Sequence, residues 1–203
     1  MKKLLVLAAI LLPFALTAQT EKGGFVIGGD VGLGFNAEKI QLKSDNTDVT
    51  LQKNTNFALA PGAGYFVIDN LAIGVEIPVI LISEKEEEGN GEFKSTTFLF
   101  SPFARYYFTT GNVKPFVEGN VGIGSSNSET TLSTFEGTIE SKDSVFAYGF
   151  EGGVAIFIAD NISLDLGVGF SSTQNKPKDN NEINARVIRS GFGFNAGFSF
   201  FLK

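Results

Sequence analysis

Gly191-Phe-Gly-Phe-Asn-Ala-Gly-Phe-Ser-Phe-Phe-Leu202 decides the fold. Phe192, Phe194, Ala196, Phe198, Phe200 and Leu202 occupy alternate positions; Gly193, Asn195, Gly197 and Ser199 occupy the others, and Phe201 breaks the pattern. Strand side chains alternate with period two, so this segment reads as a strand with one apolar face and one small, polar face.

The other end of the chain reads as a leader. Lys2 and Lys3 form a charged start, positions 4–16 an apolar run, and Ala18 a small residue before a cleavage point. The run is too short for a spanning helix, which needs about 20 residues. We therefore expect a signal peptide over 1–18 and one domain over 19–203. Losing two lysines with the leader takes the net charge from −6 to about −8. An acidic chain without a basic cluster is a poor nucleic-acid binder. The chain has no cysteine, which removes disulfides and thiolate chemistry, and no histidine, which removes the commonest general base and transition-metal ligand. No catalytic residue, cofactor site or metal site is expected.

Seven further segments alternate like the last: 24–35, 56–67, 71–82, 96–108, 114–124, 145–158 and 162–171. Short connections, Ile68-Asp69-Asn70, 109–113 and Ala159-Asp160-Asn161, join some of them. The first and last of these are near copies, with an Asn suited to the left-handed conformation of a tight hairpin. The remaining connections, 36–55, 83–95, 125–144 and 172–186, are long and polar. Short turns at one end and long loops at the other describe an all-β, eight-stranded antiparallel transmembrane β-barrel of the outer membrane, its partner being the lipid bilayer.

The face opposite the apolar one carries glycines among charges: Asp30, Glu76, Arg105, Glu118, Glu151, Asp165 and Arg189. Glycine suits a narrow lumen better than a solvated strand face, and charges on the lipid side cost a few kcal/mol, roughly, at mid-membrane. The apolar face is therefore expected outside. A turn centred between Gly111 and Asn112 sets Arg105 opposite Glu118, so these seven residues form a candidate lumen charge network. The same alternation in a soluble barrel would place the apolar face inside, as in a lipocalin-like binder of apolar ligands. Glu84-Lys-Glu-Glu-Glu88 with Glu92 reads as a solvated loop, without the spacing of a calcium-binding loop. The aromatics Phe98, Phe100, Tyr106, Phe108, Phe146, Tyr148 and Phe150 read as girdles at the membrane interfaces.

Across the mature chain these features resemble the small OmpA/OmpX-like, porin-family outer-membrane β-barrels of Gram-negative bacteria. The segments Ser101-Pro-Phe-Ala-Arg-Tyr-Tyr-Phe108 and Lys114-Pro-Phe-Val-Glu-Gly-Asn-Val-Gly122 look like that family's central hairpin. Asn195, Gly197, Phe200 and Leu202 match its C-terminal signal, which implies the barrel-assembly machinery as a partner. The chain ends Phe201-Leu202-Lys203 where members often end on an aromatic. The resemblance implies a non-enzymatic envelope protein with a side-chain-filled lumen and surface loops able to contact partners. A narrow porin for ions or small solutes is the alternative.

Overall fold

The computed structural model describes residues 20–34, 39–44, 47–51, 56–85, 92–108, 111–131, 137–178 and 185–203. The leader reading over 1–18 lies outside them, as do the side chains of the Glu84–Glu88 run and of Glu92. Among the described residues there are eleven strands: β1 (Phe25–Gly34), β2 (Lys39–Ser44), β3 (Thr47–Leu51), β4 (Asn56–Ile68), β5 (Leu71–Glu76), β6 (Val79–Lys85), β7 (Glu92–Tyr107), β8 (Val113–Thr131), β9 (Thr138–Ala159), β10 (Ile162–Pro177) and β11 (Arg186–Leu202).

They make eight staves of one closed antiparallel ring. β1 and β2 both pair with β11, and β5 and β6 both pair with β4 on one side and β7 on the other. β7 to β11 then follow in order. The ring closes where β1 meets β11, from Phe25 opposite Leu202 to Leu33 opposite Phe194. Closure leaves the membrane-spanning part without a free edge, which a bilayer requires of a sheet. The break between β5 and β6 falls at Pro78, which lacks an N–H. The ladder keeps its register across it, because Ile77 N–H donates to Pro61 O (2.8 Å) and Leu99 N–H donates to Pro78 O (3.0 Å).

The faces are disposed as a bilayer demands. Phe25, Ile27, Ile73, Phe98, Val121, Phe150, Val168 and Phe198 are outward and exposed, while Glu76, Arg105, Glu118 and Asp165 are buried inside. A soluble lipocalin-like barrel needs the reverse. Along β11 the exposed phenylalanines run from Phe192 to Phe200. Those eight steps span about 27 Å of strand rise, enough for the apolar band of a tilted barrel. Rings gather at both margins of the band. Phe25 with Tyr65 (5.1 Å) and Tyr106 with Phe108 (5.2 Å) lie at the turn end, and Phe170 touches Phe150 (5.4 Å) and Phe192 (5.3 Å) toward the other.

The strands run farther than the hydrophobic pattern does. Of the stretches read as loops, 36–55 contains β2 and β3, and 83–95 holds the end of β6 and the start of β7. Stretch 125–144 is mostly β8 and β9, and 172–186 holds the end of β10. The pairing is continuous there, as in Ser126 opposite Asp143 and Glu129 opposite Glu140. Above the lipid the outer face meets water and has no reason to be apolar. The alternation that marks a strand in the sequence therefore fades while the backbone ladder persists.

The two near-copy hairpins share a register. Ile68 pairs with Leu71 and Ala159 with Ile162, and each pair is followed by a one-residue irregularity. Their backbones differ, however. Asn70, at φ 65°, is among the described residues the one non-glycine residue with positive φ, so Asn161 completes its turn without that conformation.

Candidate functional site

The lumen is filled in tiers, and its chemistry follows from which inward residues neighbouring staves bring to one level. Nearest the turns is an apolar tier of Val26, Phe66, Ala72, Tyr107, Phe116, Ala155, Phe157 and Phe201. Its rings touch in sequence: Phe157 to Phe201 (4.9 Å), Phe201 to Tyr107 (6.1 Å) and Tyr107 to Phe116 (6.1 Å). Gly153 makes room for this tier, since a Cβ there would lie 2.6 Å from Phe116 Cζ. Below the rings, buried Lys114 donates to Thr20 Oγ1 (2.8 Å), and Thr20 donates to Asn70 Oδ1 (2.6 Å). The sequence reading missed this tier. Its signal was the aromatics that break the alternation close to a turn or chain end, of which Phe201 was noticed and Phe66, Tyr107, Phe116 and Phe157 were not.

Above it lies the charged tier. Arg105 stands opposite Glu118 on the β7–β8 ladder, and its Nε donates to Glu118 Oε2 at 2.6 Å. Nη1 donates to Asp165 Oδ2 (2.9 Å) and Nη2 to Asp30 Oδ2 (3.3 Å), while the guanidinium lies 4.5 Å over the Phe116 ring. Asp165 also accepts from Ser163 Oγ (2.5 Å) and Ser199 Oγ (2.8 Å). One cation thus holds three carboxylates that arrive on three different staves. Glycines permit the arrangement: Gly197 faces the Asp30 carboxylate and Gly167 that of Glu151, each at a spacing that a Cβ would fill.

The other candidate residues fall outside this ion-pair cluster. Glu151 accepts from the side-chain amide of Asn195. Glu76, 9% exposed, makes no hydrogen bond or ion pair with any described residue. Arg189 sits far up the wall, opposite Thr173 and Ile40. It lies eight residues along β11 from Gly197, which is the position opposite Asp30, or roughly 27 Å by strand rise.

On the loop side of Arg105 the lumen opens into a chamber of about 240 Å³, lined by Asp30, Glu76, Glu118, Glu151, Asn120 and Asn195 among others. Higher still the wall carries hydroxyls: Ser126 Oγ lies 2.8 Å from Thr97 Oγ1 and 3.0 Å from Ser95 Oγ. Of the C-terminal signal positions, Asn195 and Gly197 turn inward and Phe200 outward, with Leu202 half-buried. Among the described residues no three acidic side chains are grouped to hold a metal ion.

A family model described as "Outer membrane protein beta-barrel domain" matches residues 4–200. The chain belongs to that family. Membership accounts for the apolar outer band and places the barrel in the lipid bilayer of the outer membrane. No curated protein matches the sequence. Among solved structures, Neisserial surface protein A is 18% identical, with 88% of this chain and 99% of that one covered and a TM-score of 0.49. The attachment invasion locus protein Ail of Yersinia pestis is 16% identical, with 88% and 99% covered and a TM-score of 0.48. The outer membrane protease OmpT of Escherichia coli is 8% identical, with 92% and 100% covered and a TM-score of 0.49. Nothing about activity or partner passes across likenesses of that order.

Proposed function

We propose that this barrel is a non-enzymatic anchor of the cell envelope. It does not conduct, and it presents its polar strand extensions and the connections between them to partners outside the cell. The observation that carries the reading is the filled turn-side half of the lumen, where the Arg105 cluster rests directly on the aromatic tier. An eight-stranded barrel is only wide enough for side chains to fill, and here large side chains do fill it. The absence of histidine from the sequence argues in the same direction, since a Ser-His-Asp constellation is impossible. In this reading residues 1–18 direct export, Asn195, Gly197, Phe200 and Leu202 present the chain to the assembly machinery, and both termini lie on the periplasmic side. The cluster of Arg105 with Asp30, Glu118 and Asp165 serves mainly to satisfy buried charge.

One observation favours a second reading. The acidic chamber above Arg105 is polar enough to hold water, as the interior of a narrow cation-preferring pore would be. Reconstitution into liposomes with ion-flux measurement separates the two. The anchor reading expects flux at the level of protein-free vesicles; steady, protein-dependent cation flux would overturn it.

A further inference from the structure

The chamber has more carboxyl groups than Arg105 contacts. Five carboxyl side chains, Asp30, Glu76, Glu118, Glu151 and Asp165, meet one guanidinium at this level, and Arg105 directs its three contacts to Asp30, Glu118 and Asp165. Glu151 has the Asn195 amide. Glu76 is more than nine-tenths buried, lines the chamber and makes no hydrogen bond or ion pair with any described residue. A carboxyl group so enclosed, with no hydrogen-bond donor among the described residues, is a position that a cation can complete. The chamber is large enough to admit one together with several waters, each needing about 30 Å³.

The lining also indicates what kind of cation. No three acidic groups among the described residues are grouped to ligate a metal ion directly. The polar groups facing the chamber are carboxyls, amides and hydroxyls, of which Glu76 alone among the glutamates accepts from no donor among the described residues, while its walls include the apolar side chains of Ala60, Ile80 and Leu99. An ammonium group on a short alkyl chain matches both. One of its N–H donors meets the Glu76 carboxyl group, the others are left to the chamber's waters and polar wall, and its methylenes rest on the aliphatic wall. We propose that the chamber binds a small primary alkylammonium ion, with Glu76 as its counter-ion. The inference stands apart from the anchor reading, because a bound cation needs no path through the turn end.

The test is thermal unfolding of the refolded barrel in detergent, followed by the loss of the compact band on an unboiled gel. n-Butylammonium chloride is titrated against tetramethylammonium chloride and sodium chloride at matched ionic strength. The midpoint is expected to rise saturably with butylammonium, at millimolar half-saturation, and not with the other two salts. Glu76→Gln should raise the half-saturating concentration at least tenfold, while Glu140→Gln, on an exposed strand extension, should leave it unchanged. Ala147→Leu narrows the chamber without altering charge and should weaken the response; it decides the matter if Glu76→Gln does not fold. An equal shift with tetramethylammonium or sodium, or an undiminished response in Glu76→Gln or Ala147→Leu, would overturn the proposal.

Discussion

Arg105 is the residue on which the lumen turns, and its geometry sets the sign of every nearby substitution. Removing it leaves three carboxylates facing one another out of water. Arg105→Met is therefore expected to cost about 3–5 kcal/mol, the range for breaking a buried ion pair from one side. Glu118→Gln keeps an acceptor and should cost less. A double-mutant cycle on the two, read by urea unfolding in lipid vesicles, should give a coupling of about 1–3 kcal/mol; strict additivity would mean the contact carries no energy. Tyr107 behaves oppositely. Its hydroxyl is buried beside the Arg105 guanidinium without completing a well-formed hydrogen bond, so the ring supplies the packing and the oxygen mainly a desolvation cost. Tyr107→Phe should be neutral, or stabilise the barrel by up to about 1 kcal/mol in the same assay. Gly153 answers to packing. A Cβ there meets the Leu166 carbonyl at 2.5 Å and the Phe116 ring at 2.6 Å, so Gly153→Ala should cost about 1–3 kcal/mol by overpacking.

At the scale of elements, the membrane-embedded part of each strand was legible because lipid outside and a narrow lumen inside impose opposite chemistries on alternate residues. The β7–β8 register was legible for a simpler reason: a turn centred on Gly111-Asn112 fixes every pair behind it, Arg105 and Glu118 included. Two things were hidden. The strand extensions were hidden because Ser125 to Thr131 and, Ile139 apart, Thr138 to Ser144 are polar on both faces, held by backbone pairing and by hydroxyl contacts such as Ser126 with Ser95 and Thr97. The aromatic tier was hidden because alternation assigns faces, and an inward phenylalanine beside an outward one registers as noise. Tyr106 and Tyr107 show the difference, the first 39% exposed and the second fully buried. The charged tier lay between these extremes. Its members could be assigned to one face, but their heights could not be compared across staves whose connections were of uncertain length, so Arg189 was grouped with residues far below it. The extensions also predict an experiment. Removing residues 127–142 and joining β8 to β9 with a tight turn should leave the compact, heat-sensitive gel band intact, because the deleted ladder lies beyond the apolar band. Failure of the shortened chain to form that band would mean the extensions help to fold the barrel.

For the whole molecule, one strand both closes the ring and plugs it. β11 carries Phe200 outward and Phe201 inward, 40% and 2% exposed. Phe200 lies opposite Ile27 and Ile162 on the lipid side, while Phe201 is packed among Phe66, Tyr107 and Phe157. Adjacent residues of the same type thus answer to different physics. Phe201→Ala removes a buried aromatic from a tier that cannot collapse, because the ladder fixes the ring's circumference. It should lower unfolding stability by about 3–5 kcal/mol, the range for large-to-small core truncation. Phe200→Ala gives up packing against lipid, which largely refills the space, and should cost clearly less at equilibrium. Its effect should fall on assembly, as a slower appearance of the compact band in cells, because it occupies the outward aromatic position of the proposed signal. Measuring both variants in both assays separates the roles. Equal equilibrium losses would mean that the inward tier is not a core, and the sealed turn end on which the anchor reading rests would lose its support.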